Sequence, residues 1–299
     1  MKRKIIKQGA STLTISLPAE WTKKFNLKSG DEINVDEEDK KLVISTQKEF
    51  KTKRSEINIG GLMRSLKWVY LTNIYIRGDD EVVVKFKDPK ESDTVIEIAD
   101  KLIGFEAVEQ GRDYVLLKDI AGSNELEFDL VLRRLFRLII FMGKDGVEYL
   151  KSGDIKTLKE LARRDHSVNK FCSYCLRILN KRGYKEFEKT QHFYNTIQFL
   201  ELLGDEYSRL YYGLEKGIRK EFVKLFEEII KMNEEFYSLF YKYDDAVATR
   251  ILEERNRIRE QTKVLKKNMT TDEILFIYRI RKMAELIGDM MKIMSVMYV

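Results

Sequence analysis

One change of hydrophobic period, near residue 125, constrains this chain more than any other feature of its sequence. Before that point, short runs alternate between apolar and polar residues, as half-buried β-strands do. After it, apolar residues recur every three to four positions to the end of the chain, as on amphipathic helices. The second part therefore predicts six long helices with short links, which pack as antiparallel neighbours, at about 125–151, 155–182, 186–213, 215–243, 245–267 and 271–298.

The first 50 residues predict a small β domain. Leu13, Ile15 and Leu17 alternate with polar residues, and Pro18 then ends this strand and starts a short helix. Two further strands follow a turn at Gly30. Because so few residues in short strands bury little apolar surface, we expect this domain to complete its core by dimerisation.

Residues 51–122 predict a linker followed by a small α+β unit. The glycine pair Gly60-Gly61 is the clearest break in this stretch. Beyond it the pattern predicts two helices and two hairpins. The helices cover 62–71 and 92–103, one hairpin pairs 74–76 with 82–86, and the other pairs 106–109 with 114–117.

Two similar pentapeptides in the helical part indicate an internal duplication. Glu201-Leu-Leu-Gly-Asp205 lies in the third predicted helix, and Glu285-Leu-Ile-Gly-Asp289 lies in the sixth, 84 residues later (285 − 201). Each pentapeptide thus occupies the last helix of a group of three. We therefore predict a helical domain over 123–299, built from two three-helix repeats at about 123–214 and 215–299.

The positive charge of the chain is concentrated at its N-terminus. Residues 1–30 hold seven lysines and arginines against one acid, Glu20, which gives the same net charge, +6, as the whole chain. A local positive field attracts polyanions because counterions are released on binding, so double-stranded DNA is the leading partner for this end. A solvated lysine surface is the alternative that charge alone leaves open.

Several functional classes lack their sequence signals. Gly60-Gly61 is not followed by the Lys-Ser/Thr of a phosphate-binding loop, and the two histidines, His166 and His192, lie on predicted helices without a triad pattern. We therefore expect no enzyme. No apolar run approaches the ~18 residues of a membrane span, and the N-terminus has no signal-peptide pattern. We expect a cytoplasmic protein without membrane insertion.

The two cysteines, Cys172 and Cys175, form a lone CxxC on a predicted helix. A structural zinc ion takes four ligands, and the chain has no second cysteine pair. A redox CxxC would need a βαβ context, which the pattern here does not provide. We favour two small buried residues over either role, and a reducing compartment fits this cysteine usage.

The segment Gly9–Trp21, with the turn Leu27–Asp31 and the strand Leu42–Ile44, resembles the SpoVT-AbrB family of swapped-hairpin DNA-binding domains. The order of strand, proline, short helix, Gly-Asp turn and hairpin carries the resemblance. It implies a homodimer with interlocked hairpins, whose basic first strand and adjoining loops face DNA. The residues that it assigns to DNA are Lys2, Arg3, Lys4, Lys7, Ser11, Lys23 and Lys24.

Side-chain chemistry separates two roles among these residues. Lysines anchor phosphates as point charges, whereas Arg3 carries the bidentate fork that suits guanine. Phosphate anchoring is therefore better supported than readout of bases. Ser11 also fits an ordinary strand residue, and that alternative stays open.

The helical part resembles PhoU, in which two three-helix repeats lie side by side and Glu/Asp-x-x-x-Asp motifs on facing helices bind metal ions. Both pentapeptides match this motif, and Asp165-x-x-x-Asn169 matches the facing helix with one amide in place of a carboxylate. Oxygen donors suit divalent or trivalent ions such as Mg, Ca, Mn or Fe. The implied metal ligands are Asp165, Asn169, Glu201, Asp205, Glu285 and Asp289.

Ion pairs are the alternative to a metal at these positions. In the second repeat, Arg255 and Arg259 stand where the PhoU motif has acids. Carboxylates on helices also pair readily with cations four residues away. The sequence offers such partners in both repeats, Arg209 for Asp205 and Arg281 for Glu285.

Together these patterns predict a multidomain α+β protein with a swapped-hairpin β domain at 1–50, a small α/β unit at 51–122 and a PhoU-like domain at 123–299. The predicted function is a homodimeric DNA-binding transcription regulator linked to phosphate uptake. Its helical domain would sense a signal or bind a phosphate transporter or another regulator. The alternative is an adaptor that regulates such a transporter without binding DNA, and uses its N-terminal domain only to dimerise.

Overall fold

The computed structural model describes residues 3–9, 11–38, 41–46, 52–121, 125–263 and 268–298. The chain divides into two compact units, residues 1–52 and residues 53–299. The small α/β part and the helices therefore belong to one unit, and the N-terminal β part forms the other.

The first unit contains two antiparallel strand pairs and one short helix. Strands β1 (Ile6–Gln8) and β2 (Thr12–Thr14) pair with each other, and strands β3 (Ile33–Glu38) and β4 (Lys41–Thr46) form the second pair. Helix α1 (Ala19–Lys24) comes between the two pairs in the chain order. It begins after Pro18, whose fixed φ suits a helix start. This element order confirms the prediction made from the sequence pattern.

The apolar residues of the first unit have no core to fill within a single chain. None of its side chains that the structure describes is buried, and Leu13, Val35 and Leu42 are 66%, 54% and 63% exposed. Val35 pairs with Ile44 across the β3–β4 hairpin, so these two side chains lie on the same face of the ribbon. An uncovered apolar hairpin face is unfavourable in water unless a partner covers it.

The second unit begins with a four-stranded mixed sheet and two helices. Its strands are β5 (Arg54–Asn58), β6 (Glu81–Lys85), β7 (Phe105–Gln110) and β8 (Tyr114–Asp119), in the order β5-β6-β8-β7. Strands β5 and β6 are parallel and are connected through α2 (Arg64–Ile76). Helix α3 (Glu91–Ala99) connects β6 to β7, and β7 and β8 form the predicted second hairpin.

The predicted strand at 74–76 is wrong, because these residues form the last turn of α2. Leu71, Ile74 and Tyr75 are buried, and their i, i+3, i+4 spacing places them on one face of a helix. A short apolar run fits both a strand and a buried helix turn, and packing of this face decided in favour of the helix.

Seven α-helices follow in the described part of the chain. They are α4 (Glu125–Ser152), α5 (Ile155–Leu161), α6 (Asp165–Arg182), α7 (Thr190–Gly213), α8 (Lys220–Tyr241), α9 (Asp245–Gln261) and α10 (Thr271–Ser295). The single helix predicted over 155–182 is interrupted by one 3-10 turn at Ala162–Arg164. Helix α10 begins with the predicted capping box, in which Thr270 and Glu273 each accept a backbone N–H of the other.

Six of these helices pack in two groups of three, and the short α5 packs on α4 and α7. Helices α4, α6 and α7 contact one another, and α8, α9 and α10 form the second group. The groups meet where α4 packs on α8 and α7 packs on α10. The two pentapeptides lie on α7 and α10, and the duplication inferred from them stays a prediction.

Helix α6 also donates hydrogen bonds to the small α/β part. Arg177 is 2% exposed, and its guanidinium donates to the Tyr75 carbonyl and to the Asp119 carboxylate, both at 2.7 Å. The Asn180 amide donates to the Ile76 carbonyl at 2.8 Å. These bonds satisfy carbonyls at the C-terminal end of α2, which lack partners within that helix.

Candidate functional site

The basic residues of the first unit are exposed and available to a polyanion. Arg3, Lys4, Lys7, Lys23 and Lys24 are all exposed, and none forms an ion pair with a described carboxylate. Lys24 lies 5.6 Å from the centroid of the neighbouring Phe25 ring. A cation that is not already paired binds a phosphate without first losing a protein partner.

These residues lie on two segments of the unit. Arg3 and Lys4 precede β1, Lys7 lies within it opposite Leu13, and exposed Ser11 lies in the turn to β2. Lys23 and Lys24 form the last turn of α1, whereas Lys2 lies outside the described residues. Their assignment to DNA stays a prediction.

In the first helical repeat, the predicted ligands lie where α6 packs closely on α7. A Cβ atom added at Gly204 would lie 2.7 Å from Val168 Cγ1 and 3.4 Å from Asp165 Oδ1, so the helices approach here because residue 204 has no side chain. The Asn169 amide donates to Asp165 Oδ2 at 3.2 Å. Asp165 Oδ1 and Asn169 Oδ1 are buried and have no hydrogen-bond partner in the described chain.

The carboxyls of this repeat have raised pKa values. Burial, followed by repulsion from Asp205 and Asp165, raises the pKa of Glu201 to about 7. Burial and the Asp205 charge raise the pKa of Asp165 to about 6. Asp205 forms the alternative ion pair with Arg209 that its spacing predicted, although burial still keeps the pKa of this carboxyl above its usual value.

In the second repeat, a guanidinium occupies the position facing the motif. Arg259 on α9 forms a bidentate ion pair with Glu285 on α10, with N–O distances of 2.6 and 2.5 Å, and this pair lowers the pKa of Glu285. The partner of Glu285 is thus Arg259 rather than Arg281. Asp289 pairs with Lys292 at 2.8 Å, and Arg255 packs against Gly288.

The predicted metal ligands of the two repeats differ in their partners. In the ranges that the structure describes, no three histidine, cysteine, aspartate or glutamate side chains are arranged so that they could hold one ion. The second repeat offers carboxylates that already have cationic partners, whereas Asp165 and Asn169 in the first repeat each keep one oxygen without a described partner. Metal binding at these residues stays a prediction.

The two cysteines are free and buried in α6. Burial raises the pKa of both thiols, well above the usual range for Cys172, whose sulfur lies 3.8 Å from the Ile197 carbonyl oxygen. A thiol whose pKa is raised is a poor nucleophile and a poor metal ligand. This environment agrees with the favoured interpretation of two small packing residues.

One ionic cluster had no signal in the sequence. Glu206 on α7 is fully buried, and its carboxylate accepts from Arg209 on the same helix and from Arg279 and Lys282 on α10, each at 2.7 Å. Glu206 directly follows the motif residue Asp205, so the same helix turn carries both. The cluster connects the two repeats because its members come from α7 and α10.

Comparison with known proteins finds a match for the first part of the chain. Residues 6–52 match the model of a family described as antidote-toxin recognition MazE, bacterial antitoxin. This segment coincides with the first unit and with the region that resembles SpoVT-AbrB domains. No curated protein and no solved structure matches the chain. None of the helices in the described ranges is both long and apolar enough to cross a membrane.

Proposed function

We propose that this protein is a homodimeric, cytoplasmic DNA-binding regulator without enzymatic activity, whose first unit contacts DNA and whose second unit receives a signal. The observation that carries the proposal is the first unit itself. It has five exposed cations without described carboxylate partners and apolar residues without a core. The match of this unit to an antitoxin family model also supports a DNA-binding regulator.

Dimerisation and DNA binding follow from different residues of the first unit. A second copy would cover the exposed apolar side chains of Leu13, Val35 and Leu42. The cations at Arg3, Lys4 and Lys7 would then be presented twice, once from each copy, and two clusters on one rigid unit bind a duplex more tightly than one.

The second unit is proposed to respond to phosphate state. The resemblance to PhoU favours phosphate state as the signal, with a phosphate transporter or another regulator as partner. The packing of two three-helix groups supports this resemblance at the level of architecture. A fold alone does not fix a ligand, so the phosphate link requires its own test.

Binding of the full-length protein to duplex DNA, measured by fluorescence anisotropy at several salt concentrations, tests DNA binding. We expect log K to fall linearly with log salt concentration, because phosphate contacts release counterions. Replacing Arg3 and Lys4 by alanine should weaken binding at least about tenfold and flatten the slope. The double variant Lys216→Ala/Lys224→Ala removes two exposed lysines of the second unit and serves as the control.

Two other functions give different results in this experiment. An adaptor that only dimerises through its first unit would show neither specific nor salt-dependent binding. The matched family model also favours a toxin-binding role, since its description names toxin recognition. Genome-wide occupancy of DNA in phosphate-rich and phosphate-poor cells separates a phosphate-linked regulator from an adaptor and from a toxin-binding protein. Only the regulator would change its DNA sites with phosphate supply.

Metal binding is proposed for the first repeat alone, where Asp165 Oδ1 and Asn169 Oδ1 have no described partner. Titration of the protein with MnCl₂ by calorimetry tests it. Saturable binding that Asp165→Asn weakens, and that Asp289→Asn leaves unchanged, would support a site. Absence of heat, or equal loss in both variants, would remove the metal from the proposal.

A further inference from the structure

A cavity of about 440 Å³ lies between the small α/β part and the helix pair α6–α7. Trp68, Thr72 and Ile76 of α2 line it, and their i, i+4, i+8 spacing places them on one face of that helix. The opposite wall comes from α6 and α7, and both walls belong to the second unit. Cavities of this size typically hold small organic molecules.

Two residues that line the cavity each carry a polar atom without a hydrogen-bond partner in the described chain. Asn169 Oδ1 and Thr72 Oγ1 are buried and have no hydrogen-bond partner in the described chain. Since the Asn169 amide nitrogen already donates to Asp165, its oxygen is left as an acceptor. The Glu201 side chain lines the same cavity. An ammonium group, with three donors and a positive charge, matches the Glu201 carboxylate.

Two lysines line the cavity and provide the opposite charge. Lys101 Nζ lies 4.8 Å from the Trp68 ring centroid and 3.1 Å from the Glu97 carboxylate. Lys170 Nζ donates to the Asp100 carbonyl at 3.0 Å. An ammonium has three donors, so each lysine retains donors for a further acceptor. A ligand carboxylate would form charge-assisted hydrogen bonds with them.

The rest of the wall is apolar. Leu102, Leu176 and Phe199 line the cavity together with the Trp68 ring. An apolar group of the ligand would leave water and pack on these side chains, which is favourable in proportion to the area buried.

We propose that this cavity binds a small zwitterion with an apolar body, the chemistry that an apolar α-amino acid presents. The ligand ammonium contacts the Glu201 carboxylate. The ligand carboxylate contacts Lys101 and Lys170. The apolar side chain lies on Trp68 and its apolar neighbours, so that all three parts of the ligand have matching partners.

A metal ion is the competing occupant of the acceptor wall. A metal needs several ligands that converge at fixed distances, and the described residues provide no such group. An ammonium makes directional hydrogen bonds to separate acceptors and needs no common centre. The cavity has a volume of about 440 Å³ and also has Lys101 and Lys170 in its lining, which suits an organic zwitterion.

The ligand would join two parts of one unit, because α2 contributes one wall and α6 and α7 the other. Binding to the folded form stabilises the protein by mass action. This inference does not depend on DNA binding, so either can fail without the other.

Calorimetric titration of the full-length protein with L-leucine and L-phenylalanine tests the proposal. Two analogues of leucine isolate its charges: 3-methylbutylamine lacks the carboxylate, and 4-methylpentanoate lacks the ammonium. We expect at least one of the two amino acids to bind. If leucine binds, both analogues should bind at least about tenfold more weakly than leucine. If only phenylalanine binds, neither analogue should bind. Lack of binding by both amino acids at millimolar concentration would overturn the proposal.

Variants then locate the binding to this cavity. Glu201→Gln and Lys101→Gln should each weaken binding of the amino acid at least about tenfold, because each removes one charge partner. The matched control is Glu285→Gln, which alters the equivalent residue of the second pentapeptide, away from the cavity. Unchanged affinity for the amino acid in both cavity variants would refute the site. The site would also be refuted if MnCl₂ alone displaced the amino acid and if this displacement were lost in Glu201→Gln.

Discussion

At the scale of single residues, Glu206 shows how a charge is retained in the interior of the helical part. Burial by itself acts to raise the pKa of this carboxyl, but hydrogen bonds from Lys282, Arg279 and Arg209 outweigh burial and hold the pKa below its usual value. A buried carboxylate is stable only with such compensation. The three cations are partly exposed, so they remain solvated while they neutralise Glu206.

Removing this charge should destabilise the fold. We expect Glu206→Gln to lower the free energy of unfolding by about 2–4 kcal/mol, because three cations lose a common partner. The measurement is urea unfolding followed by circular dichroism, with the exposed Glu148→Gln as control. Because the folded pKa of Glu206 is depressed, its contribution is present above the unfolded pKa and is lost as the pH falls through the folded value. An equal effect of both substitutions would contradict this role.

Glu201 should show the opposite dependence on pH. Its folded pKa is raised to about 7, so its contribution to stability is fully present below its unfolded pKa and is lost as the pH rises through about 7. We expect Glu201→Gln to raise the free energy of unfolding by about 1–2 kcal/mol at pH 8, a value reduced for partial exposure, and to change it little near pH 4. Unfolding curves of both proteins at the two pH values provide the measurement. A stabilisation independent of pH would show that charge is not the cause.

At the scale of elements, the contact between α6 and α7 depends on a glycine. An alanine at position 204 would place its Cβ 2.7 Å from Val168 Cγ1, and Val168 is fully buried and stiff at its branched Cβ. The corresponding Gly288 lies against Arg255, where a Cβ would be 2.5 Å from Cδ. Each repeat thus uses its pentapeptide glycine to bring two helices together.

We expect Gly204→Ala to lower the free energy of unfolding by about 1–3 kcal/mol, because the helices must move apart. Gly213→Ala is the matched control, since no atom lies within 4 Å of its added Cβ. There the substitution should be neutral or slightly stabilising, as alanine favours a helix. Thermal unfolding of both variants measures the difference, and a stable Gly204→Ala protein would refute the packing argument.

At the scale of the whole molecule, the proposed dimer would complete the core of the first unit. We expect Val35→Asp to convert a dimer into monomers with an unfolded first unit, because it places a charge on the apolar hairpin face. Asn34→Asp adds the same charge on the opposite face and serves as control. Analytical ultracentrifugation gives the mass, and a dimeric Val35→Asp protein would show that this face is not the interface.

Much of this architecture follows from the sequence alone, because its determinants are local. The change of period near residue 125, the capping box at Thr270 and the proline before α1 each act within a few residues, and each predicted the element found. The N-terminal concentration of charge needs no fold to be recognised.

The tertiary structure decided what depends on contacts between distant residues. The Arg259–Glu285 pair, the Glu206 cluster and the cavity beside Trp68 all join different helices, and no local pattern fixes the angle or register at which helices meet. The end of α2 was also decided by packing, since its apolar run suits a strand equally well. Periodicity thus determined which residues form elements, whereas the close packing of those elements determined which charges meet.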